Sequence, residues 1–499
     1  MKTLPDLCRR RAELSPDAIA FEEVGSGRTV TFAAMDAGAG RGAAFFAGQG
    51  LVAGDRLAVL CHNNATFFEL LFACARARLI LVPLNWRLTP AELGPILADC
   101  GAKLLVADAA TEPLARALSG QVPILPLADY EVGSAAFAPA AAAPPWEIDR
   151  IWYLLYTSGT TGRPKAVIQT PGMALANAVN IQQATGMGAG DDTLNYLPLF
   201  HTAGINLHAL PLFIAGGASR IIPKFDTDTV VDLIGRGRIS LFFGVPAVYQ
   251  ALSLHPDFET TDFSCVRHWG CGGAPIPEPL LRAFGRRGVT VCNGMGMTET
   301  GPTLFLMDPA HAATKIGSVG KPQILAEVRL VDFKDDAVAP GEAGEMLFRG
   351  PGITPGYFNQ PEATARAFAP GGWLRSGDIG RQDSDGYYYV VDRIKDMFIS
   401  GGENVFPAEI ENVLHAHPAV LEAAVLGVGD PVWGEVGHAV ILLRPGAATA
   451  ADEIRTHARL HLAGYKVPRH ITIVTDFPRT AAGKIQKHVL RTLVAGDGG

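Results

Sequence analysis

The chain has 499 residues, 48% of them hydrophobic and 18% charged, which excludes a mostly disordered protein and leaves material for more than one packed domain. Lys plus Arg number 42 against 49 Asp plus Glu, and the resulting net charge of −7 argues against a dedicated nucleic-acid binder. The cysteines at 8, 61, 74, 100, 265, 271 and 292 form no CxxC pair, as expected for reduced thiols in a cytoplasmic protein. Arg9, Arg10 and Arg11 lack the apolar segment of a secretory signal after them and read as a solvated face. Residues 67–84 are the best candidate for a membrane span, but Glu69, Arg76 and Arg78 interrupt them.

In chain order, residues 56–61, 79–83 and 103–107 read as short buried strands, with helical segments such as 64–77 between them. That alternation predicts an α/β fold with a largely parallel sheet. Residues 134–146, rich in Ala and Pro, read as an exposed connection. A strand over 151–155 precedes a polar loop. Around 340–392 Gly and Pro turns become frequent, and strands at 345–349 and 387–391 follow without helices between them, which predicts a small antiparallel β-subdomain. Beyond Arg393 the pattern is α+β: a helix from about Pro407, strands at 422–428 and 438–443, a helix over 451–462 and a strand near 470–474. The expected division is a large N-terminal domain, 1–393, whose β-subdomain covers about 320–393, and a small C-terminal lid, 394–499.

The polar loop is the most informative stretch. Thr157, Ser158, Gly159, Thr160, Thr161 and Gly162 put hydroxyls and glycines side by side, and Lys165 follows. Backbone N–H groups, hydroxyls and one cation suit a polyphosphate. The loop is not the GxxxxGK[ST] type, and its composition alone is also that of an ordinary turn. Further short blocks follow in order: Gly272-Gly273-Ala274-Pro275, Asn293-Gly294-Met295-Gly296-Met297-Thr298-Glu299, Ser376-Gly377-Asp378, Asp392-Arg393-Ile394-Lys395-Asp396 and Gly483-Lys484. Together they resemble the signatures of the adenylate-forming superfamily, which includes acyl- and aryl-CoA synthetases, luciferases and peptide-synthetase adenylation domains. Each block is weak alone; the ordered set spans most of the chain.

The resemblance implies an AMP-forming acid–CoA ligase that uses ATP, Mg²⁺ and CoA. A carboxylate first attacks the α-phosphate of ATP and releases pyrophosphate; a thiol then displaces AMP. By resemblance, 157–162 and Lys165 hold the phosphates, 273–275 and 293–297 surround the adenine, Thr298 donates to the α-phosphate and Glu299 holds Mg²⁺. Asp378 accepts from the ribose hydroxyls, and Arg393 reaches the ribose or the phosphates. Lys484 bridges carboxylate and α-phosphate in the first step. Lys395 is the hinge about which the lid rotates, bringing Ser400, Gly401, Gly402 and Glu403 to the thiol's path. His201 lies near the acyl–thiol junction. Met295 departs from the aromatic residue many relatives carry against adenine, and its thioether can still cover that face.

The acid pocket is expected from His201, Ala203, Gly204, Phe243, Gly244, Val245, Tyr249, Trp269, Gly270 and Gly272. These are mainly apolar or small, so the expected acid is hydrophobic, aryl or medium-chain aliphatic, with Gly270 leaving room for it. No Asp occurs in 201–206, which weakens an amino-acid reading, and Arg267 leaves a malonate-type dicarboxylate open. A stand-alone adenylation enzyme that loads a carrier-protein pantetheine is the nearest rival, since both acceptors end in the same thiol. A non-catalytic nucleotide sensor and a luciferase-like oxygenase are more distant ones. Whether the chain forms a homodimer stays open. His457 and His461 are four residues apart on a predicted helix but lack a third ligand, and read as a solvated face.

Overall fold

The computed structural model describes residues 2–139, 145–157, 164–274, 276–479 and 485–496. Among them the strands form three main sheets. The first runs in the order Lys165–Gln169, Tyr153–Thr157, Ile80–Pro83, Arg56–Leu60, Leu104–Ala107 and Ile124–Pro126. Its pairs from Tyr153–Thr157 to Ile124–Pro126 are parallel. Leu57, Ala58, Val59 and Leu60 are all buried, as in a strand covered on both faces. At one edge Tyr153–Thr157 and Lys165–Gln169 pair antiparallel, with Lys165 opposite Thr157.

The second sheet has a parallel half and an antiparallel half. Ile19–Glu23, Ala218–Ile221, Asp192–Asn195, Leu241–Gly244, His268–Cys271 and Val291–Met295 run parallel. Phe305–Leu306 then reverses direction, and Ser318–Pro322, Tyr388–Arg393, Trp373–Gln382, Ala343–Arg349 and Glu327–Val331 follow antiparallel. The expected antiparallel strands are therefore a continuation of the main sheet. They are not free of helices: Pro361–Ala367 is helical between two of them. Only Ala363 of that helix is buried, so no apolar stripe announced it.

One apolar cluster joins both sheets, with Phe21, Leu57, Leu81, Tyr153 and Ile221 packed against helices Phe32–Gly48 and Ala65–Ala77. Asn64 caps the second of these by accepting from the Phe67 N–H at 2.8 Å, and the helix ends on left-handed Arg78. The Ala/Pro stretch is exposed at 135, 136, 138, 139 and 145, as its composition suggested, and buried at its two ends, Ser134 and Trp146. It begins inside helix Leu127–Ala135 and ends at Trp146, which is buried against Trp152; residues 140–144 lie outside the described residues.

The third sheet belongs to the C-terminal unit. Glu403–Val405, Phe398–Ser400, Gly434–Leu443 and Val420–Asp430 are antiparallel neighbours, and His470–Val474 adds in parallel. Helices Pro407–His415 and Ala451–His461 cover it, and Phe398, Ile410, Leu414, Val425, Ile441 and Ile454 form a core of its own. No helix among the described residues is long and apolar enough to cross a membrane.

Candidate active site

Three neighbouring parallel strands end on one edge of the second sheet, the place where open α/β sheets take their ligands. Leu241–Gly244 leads to Val245, His268–Cys271 to Gly272-Gly273-Ala274, and Val291–Met295 to the Thr298–Thr300 turn. Gly273 has φ +84, a left-handed conformation suited to glycine, and a Cβ on Gly296 would fall 1.5 Å from the Pro302 carbonyl oxygen. The turn therefore needs glycine at 296 to bring Glu299 to its place.

Glu299 is 7% exposed. The Tyr357 hydroxyl donates to its Oε1 at 2.9 Å, and the Lys165 ammonium stands 4.7 Å from the centre of the Tyr357 ring. Burial pushes the Glu299 carboxyl above its usual range; the Tyr357 hydrogen bond and the charges of Lys165 and Arg393 pull it partly back. Thr298 is tied from below. Its carbonyl accepts from Gln169 Nε2 at 3.0 Å, Gln169 Oε1 lies 3.5 Å from Asn206 Nδ2, and Asn206 Oδ1 accepts the Tyr153 hydroxyl at 2.6 Å. Tyr153, Gln169, Asn206 and Tyr357 went unnoticed in the sequence. The signal available was a buried amide or hydroxyl inside an apolar segment, Asn206 in AGINL being the clearest case.

Asp378 and Arg393 stand opposite each other in the antiparallel ladder, with Arg393 Nε donating to Asp378 Oδ1 at 2.9 Å. Asp378 is buried and Arg393 half-exposed. Their neighbour Asp392 accepts N–H bonds from Arg393 at 2.7 Å and from Ala408 at 2.8 Å, which ties the last strand of the large sheet to helix Pro407–His415. Burial pushes the Asp392 carboxyl up to about 6, against those bonds and the charge of Lys487. Lys395 is half-exposed, 3.8 Å from Asp396. Ser400 and Glu403 face each other across a two-residue hairpin turn. Gly401 and Gly402 both have positive φ, at +61 and +88, the geometry of a tight primed turn.

The pocket side is more closely filled than the sequence implied. Ala203 and Gly204 lie on a π-helical turn, Ala203–Leu207, and a Cβ on Gly204 would fall 2.3 Å from the Pro198 carbonyl oxygen. They line a small cavity with Thr193, Asn195, Leu197 and Phe243. The Phe243 ring lies over both pocket glycines: a Cβ on Gly270 would meet it at 2.7 Å, and one on Gly272 at 3.0 Å. The room expected above Gly270 is thus occupied by that ring. Trp269 and Tyr249, expected in the pocket, are core residues. Trp269 alternates to the opposite face of its strand and packs on Phe242 and Phe263, while the Tyr249 hydroxyl donates to the Gly270 carbonyl at 2.7 Å. Gly244 is buried over Tyr249, Val245 precedes helix Pro246–Ser253, and the His201 ring lies against Phe200. Arg267 is committed to Asp191, at 2.8 and 2.5 Å, and to the Thr185 carbonyl at 2.6 Å. Asn293 is buried and donates to the Ser318 carbonyl at 3.3 Å, a structural bond, and Met295 and Met297 pack on the Leu304–Phe305 cluster. Ser158, Gly159, Thr160, Thr161, Gly162, Pro275 and Lys484 lie outside the described residues. His457 bonds the Val413 carbonyl at 3.0 Å, and among the described residues no cluster could hold a metal by His, Cys, Asp and Glu alone.

Residues 8–358 match the AMP-binding enzyme family, and residues 409–484 match the AMP-binding enzyme C-terminal domain. The chain belongs to the AMP-binding enzymes. A feruloyl-CoA synthase of Amycolatopsis sp is 40% identical over 483 residues, 97% of each chain. A 2-succinylbenzoate–CoA ligase of Geobacillus kaustophilus is 38% identical over 505 residues, 99% of each. Among solved structures, an o-succinylbenzoate CoA synthetase from Bacillus subtilis, in complex with its acyl-adenylate intermediate, matches with a TM-score of 0.90 and 32% identity over 98% of this chain and 99% of that one. This AMP-binding enzyme is an AMP-forming acid–CoA ligase with a large α/β N-terminal domain and a small C-terminal domain, and it uses ATP, Mg²⁺ and CoA. Glu299 fits the metal: it is a buried oxygen donor whose negative charge is only partly compensated by the protein.

Proposed function

We infer that the enzyme activates an aryl carboxylic acid of the hydroxycinnamate or benzoate type and transfers it to CoA. The observation that carries this reading is the Phe243 ring laid over Gly270 and Gly272, facing a cavity whose other wall is Ala203 and Gly204. A wall of one aromatic ring and small residues favours an aromatic acid, which can stack on that ring, over a flexible chain. The 40% identical feruloyl-CoA synthase acts on an acid of that shape. The ion pair of Arg267 with Asp191 speaks against a second carboxylate on the substrate.

The chain's residues divide the work. Glu299 holds Mg²⁺, which supplies positive charge to the phosphates when bound, and the Tyr357 hydrogen bond orients that carboxylate. Thr298 donates to the α-phosphate and Lys165 to the outer phosphates, so developing charge meets donors already in place. Asp378 accepts from the ribose hydroxyls, with Arg393 beside it. Lys484 accompanies the carboxylate as it attacks, and His201 lies where acyl group and thiol meet. The lid, 394–499, turns about Lys395 and brings 400–403 to the thiol. Closure keeps water from the adenylate. Free thiols at all seven cysteines fit a cytoplasmic setting.

The test is AMP release from ATP with cinnamates, benzoates, fatty acids, malonate and amino acids, each with and without CoA. CoA-dependent AMP and thioester formed best with the aryl acids support the reading. A preference for fatty acids overturns the aryl assignment, and pyrophosphate exchange with no CoA-dependent turnover points to a carrier-protein thiol.

A further inference from the structure

The small cavity beside Phe243 holds an acceptor that the reaction itself does not use. His208 stands between the π-helical turn and helix Ala209–Ala215, is 7% exposed and lines the cavity beside Phe243, which it meets edge-on at 6.1 Å. Its Nδ1 is 3.0 Å from Thr193 Oγ1, and that hydroxyl donates to the Leu241 carbonyl at 3.1 Å. A carbonyl only accepts and a hydroxyl has one proton, so Thr193 accepts from His208 Nδ1–H. Burial, with the neighbouring His268 next, holds the imidazole down at about 3, so it is neutral at physiological pH. In a neutral ring protonated on Nδ1, Nε2 is a bare acceptor. Among the described residues nothing donates to it.

The other polar groups of this wall are engaged with the protein. Asn195 donates to the Gly204 carbonyl at 3.1 Å and lies 3.4 Å from the Asn63 amide. Strand register gives the depth. His208 is bonded at Thr193, which pairs with Leu241, and Leu241 pairs with His268. Gly244 and Cys271, three residues further along those strands, mark the edge from which the nucleotide-side turns leave. Three residues of strand are about 10 Å. His208 is therefore deep in the pocket, where the part of the acid remote from its carboxylate arrives.

We propose that His208 Nε2 accepts a hydrogen bond from a phenolic hydroxyl at the distal end of the acid, so that the enzyme selects hydroxyaryl acids over their unsubstituted and O-methylated counterparts. This deepens the aryl reading above and rests on it. A site with a buried acceptor discriminates against a ligand that leaves it unpaired.

The test is kcat/KM for adenylate formation with 4-hydroxycinnamate, cinnamate and 4-methoxycinnamate. In the wild type the hydroxylated acid is expected to exceed each of the others by about tenfold or more, the scale of one buried hydrogen bond. In His208→Leu the ratio should fall toward one, and His208→Gln, whose amide oxygen can accept, should restore part of it. Equal rates for the three acids in the wild type, or a ratio unchanged in a folded His208→Leu, overturn the proposal and leave the aryl reading standing. Turnover of fatty acids with none of the three cinnamates overturns both.

Discussion

Glu299 and Lys395 lie in the same enzyme in opposite surroundings. Glu299 is buried on a turn that only glycine at 296 permits; Tyr357 holds its carboxylate, and the chain of Gln169, Asn206 and Tyr153 holds the carbonyl of its neighbour Thr298. Lys395 is half-exposed, with a 3.8 Å contact to its own neighbour, and leads to a hairpin turn of two glycines. The wall proposed to meet charge is built to stay in place, whereas the segment proposed to turn exposes its lysine and is crossed by a buried tie, the Asp392 carboxylate accepting from the Ala408 N–H. Rigidity follows the buried polar groups: each buried partner raises the cost of moving, and exposed ion pairs add little.

The sharpest way to break this contrast is Glu299→Gln, which keeps shape and removes charge. Acid-dependent pyrophosphate exchange should fall by ~10²–10³-fold, the scale of removing one preorganised electrostatic group. Thermal stability should hold or rise, because a desolvated charge is gone. A large drop in melting temperature with intact exchange would make Glu299 structural. Next is Lys395→Pro. It should leave adenylate formation near wild type while slowing thioester formation by at least ~10²-fold, as misplacing a catalytic segment does. Equal loss in both half-reactions would remove the hinge assignment. A smaller effect, about tenfold on adenylation, is expected for Tyr357→Phe, which removes one hydrogen bond from Glu299. An unchanged rate would show that burial alone orients the carboxylate.

The smallest effect concerns Asp392, at the junction of the two regions. Its folded pKa, near 6, lies above that of an unfolded aspartate, so folding takes up a proton between the two values. This group's contribution to stability is therefore largest at low pH and declines as pH rises through that window, by up to about 1.4 kcal/mol per pH unit. In Asp392→Asn, melting temperature against pH between 4 and 6 should lose that slope. A slope equal to that of the wild type would assign it to another group.

The strands, the helices with strong apolar patterns and the ordered motifs were legible because each leaves a local trace: Arg56–Leu60 as an apolar run, Ala65–Ala77 between Asn64 and Arg78, Ser376-Gly377-Asp378 as a turn. Helix Pro361–Ala367 left none, because it buries one residue. Trp269 and Gly270 adjoin in sequence yet face opposite sides of one strand, and only the sheet's orientation decides which faces the proposed pocket. Tyr357 was invisible for a different reason. It lies 58 residues from Glu299, and no spacing rule links two residues brought together by folding alone.

The alternation along His268–Cys271 also has an evolutionary side. Substitutions at 268 and 270 alter the space around Phe243, whereas those at 269 and 271 disturb the packed cluster behind it. Within four consecutive residues the chain thus separates positions where drift would reshape the proposed acid pocket from positions where drift threatens the fold. Lineages can explore new acids on one side of the strand while the other side holds the protein together.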